Sequence, residues 1–201
     1  MFSHASLTVR LAGLPDNITR DFLERRAQDA CHADTKMLSF FRRPQHAQQF
    51  PLRLSLSSQG DTRMATVTFP LGKSKERALK SLADWQVDDT FAGVTVLHSS
   101  TEPDLDICAV HGLNGNAFDT WAWEGSDMWL RDFLPEPRPT LHPGLARLRV
   151  MTFGYSSLVR DNTNTTGLYE WSSELLQSVS RMRRSDSVGA RCLFRCLLPW
   201  P

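Results

Sequence analysis

The sequence has almost no net charge, no long apolar run and no ordered spacing of cysteines. Its 23 basic and 22 acidic residues leave a formal charge of +1 over 201 residues. No overall field therefore draws in nucleic acid or an anionic lipid surface, and a basic binding surface would have to be local. No stretch approaches the roughly 18 apolar residues of a transmembrane helix, and MFSHASLTVRLAGLPDN has neither the basic opening nor the apolar run of a secretory leader. An intracellular, cytoplasmic chain without a transmembrane segment is expected. Cys31, Cys108, Cys192 and Cys196 match neither a disulfide framework nor a zinc site, and they read as reduced thiols. Cys192 and Cys196 could meet on one helix face. The sequons at Asn17 and Asn164 mean little without a secretory signal. No cofactor and no metal is expected.

The composition is that of a core-forming protein, 41% hydrophobic and 22% charged, with room for two small units. LTVRLAGL (7–14) alternates as a strand does, and Pro15-Asp16-Asn17 stops it. Thr19 is placed to cap a helix carrying Phe22, Leu23, Ala27 and Ala30 on one face. LSFFRRPQHAQQFP reads as an irregular loop. LRLSLSS (52–58) and RMATVTFP (63–70) alternate on either side of Ser58-Gln59-Gly60-Asp61, which predicts a hairpin. A second helix follows, with Ala78, Leu79, Leu82 and Trp85 on the core side and its lysines on a solvated face. GVTVLHSS (93–100) is the expected last strand. Strand, helix, strand, strand, helix, strand is the split βαβ arrangement, a four-stranded antiparallel sheet with two helices on one face.

Residues 1–100 thus resemble the RNA-recognition-motif fold, whose central strands stack aromatic side chains on bases. Arg10 stands where the first-strand aromatic belongs, and Met64 and Thr66 stand at the two stacking positions of the third strand. Only the inward-facing Phe69 matches. Stacking contributes about 1–3 kcal/mol per base, so the resemblance implies the fold without nucleic-acid binding, and a protein-docking use instead. SSTEPDLD (99–106) reads as a linker.

Beyond it, LDICAVHG is a near-continuous apolar run of the kind buried in parallel sheets. A Gly-rich turn follows, in which Gly112 and Gly115 allow close approach or positive φ. WLRDFLP reads as a short amphipathic helix, LRVMTFGYSS (148–157) as a buried strand, and 166–184 as a helix with Leu168, Trp171, Leu175, Leu176 and Val179 on its apolar face. This is the rhythm of a parallel sheet.

VHGLNGNAFDTW, WLRDFLP and RVMTFGYSS together are similar to the start of an α/β-hydrolase domain of the serine-esterase, lipase-like type, the group of serine-active-site-containing proteins. The whole chain is accordingly read as α/β: an α+β, ferredoxin- or RRM-like unit over 1–100, a partial α/β-hydrolase unit over 101–184, and an atypical tail over 185–201. The resemblance implies that His111, Gly112, Leu113, Asn114 and Gly115 form the oxyanion loop, with the N–H of Leu113 or Asn114 as the donor. It makes His111 an orienting member of that loop, not a base. It also implies association with mitochondrial or endoplasmic-reticulum membranes.

The nucleophile elbow Gly-x-Ser-x-Gly of that family occurs nowhere in the sequence. Ser156, Ser157 and Cys108 do not form a substitute. An ester or lipid substrate is expected only if a missing C-terminal half completes the site, and protein partners are the alternative. With roughly two or three strands in hand, the second unit is expected to need a partner, the N-terminal sheet or that missing half for stability. Residues 188–201 are expected as a short strand or helix over the open sheet edge.

Overall fold

The computed structural model describes residues 7–32, 52–123, 127–135, 147–157, 167–184 and 191–196. The irregular loop expected around 38–51 lies outside them. Strand β1 (Thr8–Pro15) leads to helix α1 (Arg20–His32), whose first turn is closed by the Phe22 N–H donating to Thr19 Oγ1 at 3.3 Å. Strands β2 (Arg53–Gln59) and β3 (Thr62–Thr68) form the expected hairpin, with Gln59 opposite Thr62 across Gly60-Asp61. Helix α2 (Gly72–Ser81) follows. Strand alternation sends Val9, Leu11, Leu54, Ala65, Val67 and Phe69 to one face of the sheet, where they pack on Leu23, Ala27, Ala30, Ala78 and Leu82. Phe22 stays largely outside this core, edge-on to Trp85. Lys75, expected on a solvated face, is buried instead and pairs with Asp89 at 2.8 Å.

The fourth strand of this sheet is not the expected one. The order is β2-β3-β1-β4, where β4 is the short Gln86–Asp88, antiparallel to β1. Residues 93–99, predicted to close the sheet, form β5 (Gly93–Ser99) in a second sheet. The second sheet also contains β6 (Leu105–Val110), β9 (Leu148–Gly154) and β10 (Arg191–Cys196), in the order β10-β6-β9-β5. Between β6 and β9 lie a 3₁₀ turn (Asp119–Trp121), a two-residue-per-strand hairpin of β7 (Ala122–Trp123) and β8 (Asp127–Met128), and helix α3 (Trp129–Asp132). Helix α4 (Leu168–Arg184) precedes β10. β6 is parallel to both β9 and β10, while β5 is antiparallel to β9. SSTEPDLD therefore joins two strands of one sheet and is no linker between units: the Ser100 N–H donates to Leu148 O and the Asp104 N–H to Arg147 O. Cys192 and Cys196 lie on a strand, so no helix face brings them together.

The two faces of this sheet are covered by different connections. Leu97, Ala109, Leu148 and Val150 pack on Ala117, Phe118, Trp121, Met128 and Leu130, which follow β6. Val96, Cys108, Met151 and Phe153 pack on Val179 and Met182 of α4. Of the apolar face predicted for that helix, Leu168 and Leu176 are exposed. Trp129 and Phe133 of the short helical segment are also partly exposed, while Leu130 is buried in the core and Leu134 packs against it. At the amino ends of β6 and β9, the buried Asp106 carboxylate accepts two bonds from Arg149 (2.8 and 2.9 Å) and one from Arg183 of α4 (3.0 Å). This ties the last helical turn to the sheet.

β5 leaves the first sheet because the turn before it is fixed. Asp88 Oδ1 accepts the N–H groups of Thr90 and Phe91 (3.0 and 2.9 Å) and the Thr90 hydroxyl, while Oδ2 accepts Arg10 Nε and Nη2, both at 2.8 Å. Phe91 sits at φ 53°, fully buried and stacked on Phe118 at 5.2 Å. Arg10 holds the other side through Ala92 O and Thr95 Oγ1. Gly154 lies against this turn, and a Cβ there would overlap the Phe91 carbonyl.

Asp88→Ala is expected to lower the unfolding free energy by about 3 kcal/mol, since it orphans a nearly buried guanidinium and opens the turn. A urea denaturation curve shifted by less than about 1 kcal/mol would remove this account. Gly154→Ala is expected to cost at least as much, because the obstructing atom is backbone and has no rotamer to change. The same denaturation measurement checks it.

Candidate functional site

A connection that leaves one face of a parallel sheet and a next connection that leaves the other open a crevice between the carboxyl ends of the two strands. β6 and β9 are such a pair, and residues 111–115 and 155–157 are the loops at that crevice. The right-handedness of parallel crossovers requires this arrangement: a chain that moves one way along the sheet and then returns past its start must change faces.

The two loops are stitched together by hydrogen bonds. The Tyr155 N–H donates to His111 Nε2 at 3.2 Å, and the Tyr155 hydroxyl donates to the His111 carbonyl at 2.9 Å. The Asn114 N–H donates to Ser157 O at 3.1 Å, the Ser157 hydroxyl to Gly115 O at 3.1 Å, and the Gly115 N–H to Gly112 O at 3.1 Å. The rings of His111 and Tyr155 stack at 4.4 Å with 8° between planes, and Trp171 of α4 lies on the other ring contact of Tyr155 at 4.6 Å. The start of α4 is fixed in turn by the Gly167 N–H donating to Glu170 Oε2 at 2.8 Å.

Because Nε2 of His111 accepts a backbone N–H, the proton sits on Nδ1 and is donated to Gly112 O at 2.9 Å. Both ring nitrogens are thus occupied and the side chain is buried. Burial pushes its pKa below the ordinary 6.5, partly offset by the bond to the Gly112 carbonyl. A neutral imidazole with no free nitrogen orients a loop and takes no proton from a nucleophile. Ser157, weighed above as an alternative nucleophile, is buried with its hydroxyl committed to Gly115. Cys108 is fully buried in β6.

The expected loop residues come together, with two changes. The positive φ falls on Asn114 (57°) and not on a glycine, a conformation that asparagine tolerates. Gly115 is required by close approach: a Cβ there would lie 2.8 Å from Thr120 Oγ1 and 3.0 Å from Gly112 O. Of the two donors implied for the loop, the Asn114 N–H is spent on Ser157. The Leu113 N–H has no hydrogen-bond acceptor among the described residues, and Leu113 is half exposed. Tyr155, Ser157 and Trp171 complete the site and were not singled out as its members from the sequence. The signal available was position, since Tyr155 and Ser157 follow the second of two buried parallel strands.

Among the described residues no group of three or more His, Cys, Asp or Glu is arranged to hold a metal ion, and no helix is long and apolar enough to cross a membrane. Comparison with protein-family models, with curated proteins and with solved structures found no match.

His111 and His98 are both held below their ordinary pKa by burial. The unfolded chain then binds more protons than the folded one below pH 6.5, so stability falls as pH drops through that value. The unfolding midpoint is expected to be level above about pH 7 and to decline towards pH 5. A histidine ring-proton NMR titration should show His111 titrating below the ordinary 6.5, and a His111 that takes up its proton above that value would contradict the assigned tautomer.

Proposed function

We propose that the chain carries the oxyanion-binding part of a serine-esterase-like α/β-hydrolase site, and that these 201 residues do not hydrolyse esters by themselves. The observation that carries the reading is the loop at the crevice between β6 and β9, in which the backbone N–H of Leu113 has no hydrogen-bond acceptor among the described residues. Such a donor, fixed before any substrate arrives, offsets charge that develops on an ester oxygen, and one donor can be worth about 2.7–4 kcal/mol of barrier. The loop is held rigid by His111, Tyr155 and Ser157, which is what pre-organisation demands. The substrate class is a carboxylic ester, with a lipid ester as the specific case suggested by the resemblance. The attacking group is absent from the sequence, since it contains no Gly-x-Ser-x-Gly, and His111 lacks a free nitrogen to activate one.

A second reading, a non-enzymatic protein-docking module, is favoured by one feature: Leu168, Tyr169 and Leu176 of α4 are exposed at 79%, 80% and 60%. Nucleic-acid binding by the first sheet is disfavoured. Thr8, Met64 and Thr66, on the face that would meet bases, are buried under the second sheet and α3.

The purified chain is expected to give no covalent adduct with a fluorophosphonate probe and no turnover of a p-nitrophenyl ester. In an amide NMR titration with methylphosphonate, the Leu113 resonance should move downfield ahead of its neighbours. An adduct, or a Leu113 amide indifferent to the anion, would refute the assignment.

A further inference from the structure

A groove of about 560 Å³ opens between α4 and the end of the first sheet. Its floor is apolar, made by Met64, Val94 and Met182. Its rim carries Gln59, Gln86 and Arg181. The sites of small ligands share this layout, an apolar lining with a few convergent polar groups, in this range of volume.

Two arginines face the groove and they are not equivalent. Arg10 is saturated by Asp88, Ala92 O and Thr95. Arg181 is exposed, forms no ion pair among the described residues, and makes its one described hydrogen bond to Gln177 O of its own helix at 3.4 Å. Its guanidinium is therefore available as an anion anchor. Glu174, whose Oε1 lies 3.8 Å from where a Cβ of Gly93 would sit, and Asp61 beside Gly60 bring negative charge to the same region. Those carboxylates oppose a doubly charged head group. Met182 supplies the more adaptable part of the floor, while Met64 is held by its sulfur accepting the Val96 N–H at 3.2 Å.

We propose that this groove binds a small organic anion with a single negative charge and a short apolar body, a medium-chain carboxylate in chemical class. Arg181 holds the carboxylate, Gln59 and Gln86 donate to it, and Met64, Met182 and Val94 receive the chain.

The test is a titration of the full chain, carrying ¹³C-methyl methionine, with sodium octanoate below its micelle concentration. Saturable shifts of the Met64 and Met182 methyls with a dissociation constant under about 1 mM are expected. Octanol and acetate, each lacking one half of the chemistry, should give no saturable shift, and octyl phosphate should bind more weakly than octanoate. Arg181→Gln and Gln86→Glu, both at exposed positions, should each weaken octanoate at least about tenfold. Equal binding of octanol and octanoate, unchanged affinity in Arg181→Gln, or no shift up to about 10 mM octanoate would each overturn the proposal.

Discussion

The carboxylate of Asp88 decides how the two sheets are built. It caps the turn at 88–91 with one oxygen and takes the Arg10 guanidinium with the other, so a surface turn and a central strand are fixed by one group. The turn forces Phe91 into a left-handed conformation, which costs of order 1–3 kcal/mol for a residue with a side chain. Burial of the Phe91 ring against Phe118 offsets it, since burying a phenylalanine is worth about 1.5–3 kcal/mol. The consequence is directional. The chain leaves the turn towards β9, and the first sheet must take its fourth strand from the three residues before the turn.

The face of the first sheet that this leaves to β5 carries mostly hydroxyls, beside Arg10 and Met64. Thr8 and Thr68 bond at 2.8 Å and Ser55 and Thr66 at 2.7 Å, while Arg131 donates to Thr68 at 2.7 Å, grips Asp132 with two nitrogens and lies over the Phe118 ring. Arg53 reaches Asp127 at 2.6 Å from the other side. Small polar side chains let β5 lie close across β2 and β3, and the hydroxyls of Thr8, Thr68, Ser55 and Thr66 all have partners, which limits the cost of burying them. Aromatic platforms on this face would have kept the second sheet away. Arg10, Met64 and Thr66, at the positions where the resemblance expects stacking aromatics, are thus explained by packing, and the second sheet has the first as its support. That second sheet has four strands, three of them (β6, β9 and β10) from the second unit, within the two or three anticipated there, and the fourth, β5, from residues assigned to the first unit.

Local periodicity was enough to show β1, the β2–β3 hairpin, α1, α2, β6, β9 and α4, because each carries a period-2 or period-3.6 pattern over a sufficient length. The placement of 93–99 was not legible, since an alternating strand reads the same in either sheet and the choice rests on Asp88 and Arg10, 78 residues apart. β4 was invisible because three residues carry no period. Lys75 looked solvated for a similar reason: its partner Asp89 belongs to a different element. In the candidate site the loop itself was legible from His111-Gly112 and the residues after it. The choice between the Leu113 and Asn114 donors was not, because it depends on where the Ser157 carbonyl points after a strand that begins over thirty residues downstream.

Rigidity in the His111 loop has a physical rationale that an interaction module does not need. A docking surface tolerates mobile loops and gains by adapting to its partner, whereas stabilising a transient oxyanion requires a donor already aimed, with its reorganisation completed during folding. The loop commits a buried histidine in one tautomer, a tyrosine through both its backbone and its hydroxyl, and a serine hydroxyl to hold five residues. Burying those groups costs desolvation, and the fold gains no apolar contact from the His111–Gly112 bond that could not be had from a leucine. That the expense falls at the carboxyl ends of β6 and β9, where opposite connections open the sheet, favours the oxyanion reading over the docking one. The exposed apolar side chains of α4 then need no separate function: isolated leucines and tyrosines on a helix surface are ordinary, while a locked polar loop in a crevice is not.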